Sequence, residues 1–138
     1  MAVVGRTCED ELILVEQYRT PVSGRVLELP AGLCGDAPGN EEESLLKAAQ
    51  REMLEETGYG SGDWHESFSG FSSCGLSDEN VTIFVAENLR KEAAGGGTNQ
   101  EDIEVHLVPR GQFQAFIQAK AAMGVLLDLK IRLAGLSE

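Results

Sequence analysis

The chain has 138 residues, 42% hydrophobic and 25% charged, a length and composition that fit one folded domain over residues 1–138 and exclude disorder throughout. Asp and Glu number 23 against 11 Lys and Arg, a formal net charge of −12. Such a surface repels phosphate backbones and anionic lipid, which excludes nucleic acid and membranes as expected partners and points to divalent cations instead.

Residues 3–4 open a short strand. Residues 11–18 (ELILVEQY) give the clearest strand signal, apolar and partly alternating. Residues 20–24 (TPVSG) read as a turn, and residues 25–29 (RVLEL) as a second alternating strand that stops at Pro30. Residues 32–40 form a Gly/Pro loop. A helix is expected over 44–57, with Gly58 as its C′ residue. Its N-cap is open between Asn40, which pairs with Glu43 as a capping box, and Ser44. Strands follow at 63–72, 80–86 (NVTIFVA) and 103–108 (IEVHLV). Residues 91–99 contain Gly95-Gly96-Gly97 and read as a mobile loop. Residues 111–123 and 125–136 read as one broken helix or two short ones. A single central helix flanked by strands predicts a mixed α/β class with a mixed sheet.

Cys8, Cys34 and Cys74 form no CxxC pair, which excludes a zinc ribbon and fits free thiols in a reducing compartment. No run approaches the ~18 apolar residues of a membrane span. The opening MAVVGRT lacks the longer apolar stretch of a secretory signal. The expected location is cytoplasmic. His65 and His106 stand singly in expected strands and read as structural.

The informative segment is Arg51-Glu52-Met53-Leu54-Glu55-Glu56-Thr57-Gly58-Tyr59. With Glu52 at zero on a helical wheel, Glu55 falls at about −60° and Glu56 at about +40°. The apolar stripe Leu46, Ala49, Met53 falls at about 120°, 60° and 100°. The acids therefore border the buried stripe, and Leu54 takes the far side, whereas an ordinary amphipathic helix turns its acids away from the core. Crowded, partly buried carboxylates have raised pKa values, and a divalent cation relieves both strains. Mg²⁺ takes hard oxygen ligands and few carboxylates, with substrate phosphate and water completing its shell.

These residues resemble the Nudix hydrolase signature: Gly, five residues, Glu, seven residues, then Arg-Glu-apolar-any-Glu-Glu-any-Gly-apolar. Glu43, seven residues and Arg51 to Tyr59 match at every constrained position of the second half. The glycine half departs: Ala37 stands six before Glu43, and Gly32 is the counterpart of the family glycine, with Gly35 and Gly39 as weaker candidates. Leu27-Glu28-Leu29-Pro30-Ala31-Gly32, Gly75-Leu76-Ser77-Asp78-Glu79 and Glu101-Asp102-Ile103-Glu104-Val105 are similar to the ADP-ribose/ADP-sugar pyrophosphatase branch. Three positions differ from that branch. Cys74 replaces a proline, the chain starts at its first core strand where members have an N-terminal extension, and Asn99-Gln100 stand where some members place a second acid.

The resemblance implies the Nudix fold, a mixed β-sheet sandwiched between helices. It implies Mg²⁺, with Mn²⁺ as a substitute, held by Glu52, Glu55, Glu56, the Ala31 carbonyl and Glu101. Glu101, Glu55, Glu52 and Glu56 are the expected catalytic residues, with Glu101 as base on a loop able to close over substrate. Arg19, Glu28 and Gly32 are the expected substrate-binding residues. Arg51 is expected to orient the acids, and Glu43 either starts the helix or joins them. The activity implied is hydrolysis of a nucleoside diphosphate linked to X, ADP-ribose or an ADP-sugar first, giving AMP and a sugar phosphate. The alternatives are a hydrolase of nucleoside triphosphates or other dinucleotides, and a nucleotide-sensing module without catalysis. The expected partners are a small-molecule nucleotide and a second copy in a homodimer.

Overall fold

The structure, a computed structural model, describes residues 1–35, 39, 42–98 and 101–136. Asn40 as cap, Ala37, and the amides Asn99 and Gln100 lie outside the described residues. The elements run β1 Ala2–Thr7, β2 Glu11–Arg19, β3 Gly24–Glu28, α1 Leu45–Thr57, β4 Tyr59–Gly60, β5 Asp63–Phe71, β6 Asn80–Lys91, β7 Glu104–Pro109, α2 Phe113–Ala122 and β8 Leu126–Leu127.

Strand β2 is the hub. It pairs antiparallel with β1 at Leu12 and Ile13, with β3 from Val15 to Arg19, and with β7 from Glu11 to Glu16. Strand β6 pairs parallel with β1 and antiparallel with β5 and β4, and β8 joins β3 in parallel. Alternation along β2 then decides which residues face which helix. Leu12 and Leu14 pack with Phe113 and Ile117 of α2 and with Ile131 and Ala134. Ile13 packs with Ala49 and Met53 of α1. A mixed sheet therefore lies between α1 and α2, as expected. Among the described residues, no helix is long and apolar enough to cross a membrane.

Ser44 is the N-cap of α1, its hydroxyl accepting the Lys47 N–H at 3.3 Å, and Gly58 ends the helix in the left-handed region at φ 74°. Two local expectations change. Leu46 is exposed with the rest of the first turn; burial begins at Ala48 and Ala49, and Leu54 is half-buried on the way into β4. The segment after Pro109 is not two helices. A 3₁₀ turn (Arg110–Gln112) leads into α2, and Leu126–Leu127 extend along β3. A second 3₁₀ stretch, Leu129–Gly135, follows. Gly124 at φ 88° ends α2, and the pairing offered by β3 overrides the apolar helix pattern of 125–127.

Candidate active site

The wheel angles of α1 translate into burial. Glu56, nearest the centre of the buried arc, is buried at 5% exposure. The Glu52 side chain is 14% exposed and that of Glu55 41%. Arg51 organises the outer acids. Its Nε and Nη2 each donate to Glu43 at 3.2 Å, and Nη1 donates to Glu52 at 2.8 Å and Glu55 at 3.3 Å. Nη2 also donates to the Leu33 carbonyl at 3.3 Å. The Glu43 hydrogen bonds lead the causes that hold this guanidinium above its ordinary pKa.

The segment after β3 lies along the start of β1. Val3 N–H donates to Pro30 O at 2.9 Å, and Gly32 N–H donates to Met1 O at 3.2 Å. These bonds engage neither the N–H nor the carbonyl of Ala31. Its N–H donates to Glu56 Oε2 at 3.1 Å, and its carbonyl remains as a candidate ligand. Gly32 has a steric reason: a Cβ built there would stand 2.2 Å from Glu52 Cδ. The glycine backbone and the Glu52 carboxylate share one space.

Arg19 and Glu28 share the α1 face of the sheet. Arg19 alternates with Ile13 and Val15 along β2, and Glu28 stands opposite Val15. Arg19 grips Glu28 through two bonds, Nε–Oε1 at 2.7 Å and Nη2–Oε2 at 2.9 Å. That hydrogen bonding is the main reason its pKa rises, with smaller help from the charges of Glu56 and Asp128. Glu28, expected to bind substrate, is buried and is the partner of Arg19.

Burial pushes the Glu56 carboxyl up to about 8. The Ala31 N–H opposes the shift, the Glu52 and Glu101 charges add to it, and Arg19 opposes it. Glu56 thus lies within electrostatic reach of Glu52, Glu101 and Arg19, and Glu55 is bonded to Arg51. A hard divalent cation fits this donor set, because the oxygens are carboxylate and carbonyl and, among the described residues, the buried acid has an N–H but no cation bonded to it. Residues 91–98, the described part of the stretch read as a mobile loop, are tied to α1. Gly96 N–H donates to Glu56 O at 2.7 Å and Gly97 N–H to Glu55 O at 3.0 Å, while Lys91 Nζ donates to the Thr57 and Ala94 carbonyls.

A second polar cluster lies on the α2 face. Glu16, Glu104 and His106 bring ligand atoms within 4.8 Å of one another. Lys120 Nζ lies 2.6 Å from Glu16 Oε2, and Arg25 Nε 2.8 Å from Oε1. These cations supply the charge a metal would bring, so the cluster is a structural ion network. Burial acts to raise the Glu16 carboxyl, but hydrogen bonds from Lys120, Arg25 and His106 bring it down to about 2. His106 also packs its ring 5.4 Å from Phe116, and His65 is exposed on β5.

Sequence reasoning missed Asp128 and Thr98. Asp128 N–H bonds Leu27 O at 3.0 Å, which sets it beside Glu28. Its signal was the run Val125-Leu126-Leu127, a short strand ahead of a capping residue. Thr98 bonds Glu101; its signal was Thr-x-x-Glu spacing.

Known proteins resemble this chain in sequence and in fold. A family profile described as "NUDIX domain" matches residues 1–128. The ADP-ribose pyrophosphatase of Bacillus subtilis is 37% identical over 89 residues, 64% of this chain and 45% of that protein. The GDP-mannose pyrophosphatase of Citrobacter koseri is 33% identical over 115 residues, 78% of this chain and 57% of that one. The methanol dehydrogenase activator of Bacillus methanolicus is 32% identical over 102 residues, 74% and 52%. A crystal structure described as an ADP compounds hydrolase superposes with TM-score 0.69 at 26% identity, over 85% of this chain and 60% of that one. The chain spans about half the length of the curated relatives it matches.

Proposed function

The chain belongs to the Nudix family, and from that premise we propose that it hydrolyses the diphosphate of a nucleoside diphosphate linked to X. ADP-ribose or an ADP-sugar is the leading substrate, and the products are AMP and a sugar phosphate. The observation that carries this reading is the buried Glu56, bonded to the Ala31 N–H beside the Arg51-held acids Glu52 and Glu55, with Glu101 and Arg19 within electrostatic reach. Arg19 is a cation to hold a diphosphate, the α1 acids can hold a metal, and Glu101 is a further acid to take a proton. The names of the relatives, ADP-ribose and GDP-mannose pyrophosphatase, support a nucleotide sugar.

Nudix hydrolases generally use a divalent metal, and Mg²⁺ is the ion proposed here, with Mn²⁺ as its substitute. Glu52, Glu55, Glu56, the Ala31 carbonyl and Glu101 would hold it. When bound, such an ion neutralises diphosphate charge and favours ionisation of water. The protein's own groups do the rest. Arg19, preset by Glu28, donates to a diphosphate oxygen. Arg51 keeps Glu52 and Glu55 oriented, and the Gly32 backbone leaves room for the Glu52 carboxylate. Glu101 accepts the proton of the attacking water, after which the phosphorus–bridging oxygen bond breaks. A homodimer is proposed through β5, an edge strand with Phe68 and Phe71 exposed. Equilibrium sedimentation of a Phe68→Ser/Phe71→Ser variant as a monomer, against a dimeric parent, is the expected result.

The deciding experiment is a panel of ADP-ribose, ADP-glucose, GDP-mannose, nucleoside triphosphates and dinucleoside polyphosphates, assayed with Mg²⁺ and with the products identified. Preferred cleavage of a nucleotide sugar to nucleoside monophosphate supports the proposal. Preference for triphosphates or dinucleotides moves the substrate, and binding with no turnover makes the chain a sensing module.

A further inference from the structure

The loop from β6 to β7 is built outward from the acidic helix. Gly96 and Gly97 donate to the carbonyls of Glu56 and Glu55. The next residue, Thr98, donates twice to one carboxylate oxygen of Glu101, from its N–H at 2.8 Å and its hydroxyl at 3.1 Å. Glu101 N–H returns a bond to Thr98 O at 2.9 Å. Gly97, at φ 84°, closes the arrangement: a Cβ there would lie 2.7 Å from both Cβ and Oε2 of Glu101. Beyond Glu101, Ile103 is buried and Arg25 Nη1 reaches Asp102 at 3.3 Å.

We propose that Thr98 is a positioning residue, holding the Glu101 carboxylate toward the acids of α1 so that one oxygen is fixed and the other is presented to the reaction. This rests on the reading of Glu101 as base. An exposed glutamate samples many rotamers, and ordering one costs conformational entropy. Two donors on Oε2 set that order before substrate arrives. General-base catalysis depends on reach and alignment, so the effect falls on the bound-state step rather than on substrate affinity.

The test compares wild type, Thr98→Val, Thr98→Ser, Glu101→Gln and Thr98→Val/Glu101→Gln on ADP-ribose with Mg²⁺. Thr98→Val keeps the shape and loses one charge-assisted bond, so kcat falls about ten-fold with KM within about two-fold, and Thr98→Ser restores most of the rate. In the Glu101→Gln background, Thr98→Val adds little, because the residue acts through Glu101. Wild-type kcat in Thr98→Val, or an equal loss with and without Glu101, overturns the proposal alone. An unimpaired Glu101→Gln overturns the base reading and the proposal with it. A readout that needs no turnover runs in parallel. The Thr98 amide exchanges hydrogen at least about ten-fold faster in Glu101→Ala than in wild type; equal exchange shows that the Glu101 carboxylate is not held at Thr98 and sinks the proposal.

Discussion

Replacing Glu16 by Gln removes the central charge of the network that ties β2 to β3, β7 and α2. Glu16 is buried, 3% exposed, and bonded by Lys120, Arg25 and His106. Its carboxyl lies at about 2 in the folded protein against 4.5 ordinarily, and at about 1.4 kcal/mol per pH unit that gap is worth roughly 3 kcal/mol. Breaking one side of a buried ion pair gives a similar figure, about 3–5 kcal/mol. Because the folded pKa is depressed, the contribution is complete above the unfolded pKa of 4.5 and is lost as pH falls through about 2. Urea unfolding in chelator, followed by circular dichroism, checks this. Glu16→Gln loses roughly 3 kcal/mol at pH 7 and less than about half of that at pH 3. A deficit under about 1 kcal/mol at pH 7, or one unchanged at pH 3, refutes the reasoning.

Other perturbations separate the roles within the site. Glu56→Gln keeps its fold but loses the thermal shift produced by Mg²⁺ and roughly 10²-fold in turnover; a Mg²⁺ shift equal to wild type removes Glu56 from the ligand set. Arg19→Ala raises KM by about ten-fold and changes kcat less, and steady-state kinetics with both parameters unchanged excludes the contact. Gly32→Ala places a Cβ 2.2 Å from Glu52 Cδ and displaces the carboxylate. Calorimetry should show Mg²⁺ affinity weakened about ten-fold or more at nearly constant melting temperature, and an intact affinity contradicts the shared-space argument.

The sheet was legible where burial imposes a period. Residues 11–19 alternate because one helix packs on each face, and Arg19 follows the same period onto the α1 face as Ile13. The wheel read the acids correctly for the same reason: Glu56 lies on the arc that Ala49 and Met53 bury. It misplaced Leu46 because helical period says nothing of how far a helix runs past its sheet. Strands β4 and β8 have two residues each, too short for any period; they exist because β6 and β3 offer open edges. The glycine run 95–97 suggests freedom, because glycine has no Cβ to restrict its backbone. Here Gly96 and Gly97 spend their N–H groups on the last carbonyls of α1, with left-handed φ values of 97° and 84° that other residues rarely adopt. Arg19 with Glu28, opposite charges nine residues apart, became a pair only through the β2–β3 register.

Phosphorus NMR of ADP-ribose with the protein and Mg²⁺ follows the proposed hydrolysis at the phosphorus atoms themselves. The two diphosphate resonances are expected to give way to two phosphomonoester resonances, from AMP and ribose phosphate, and chelation of Mg²⁺ to halt the conversion. Persistent diphosphate resonances under saturating Mg²⁺, or their loss at an undiminished rate in chelator, would contradict the proposed hydrolysis.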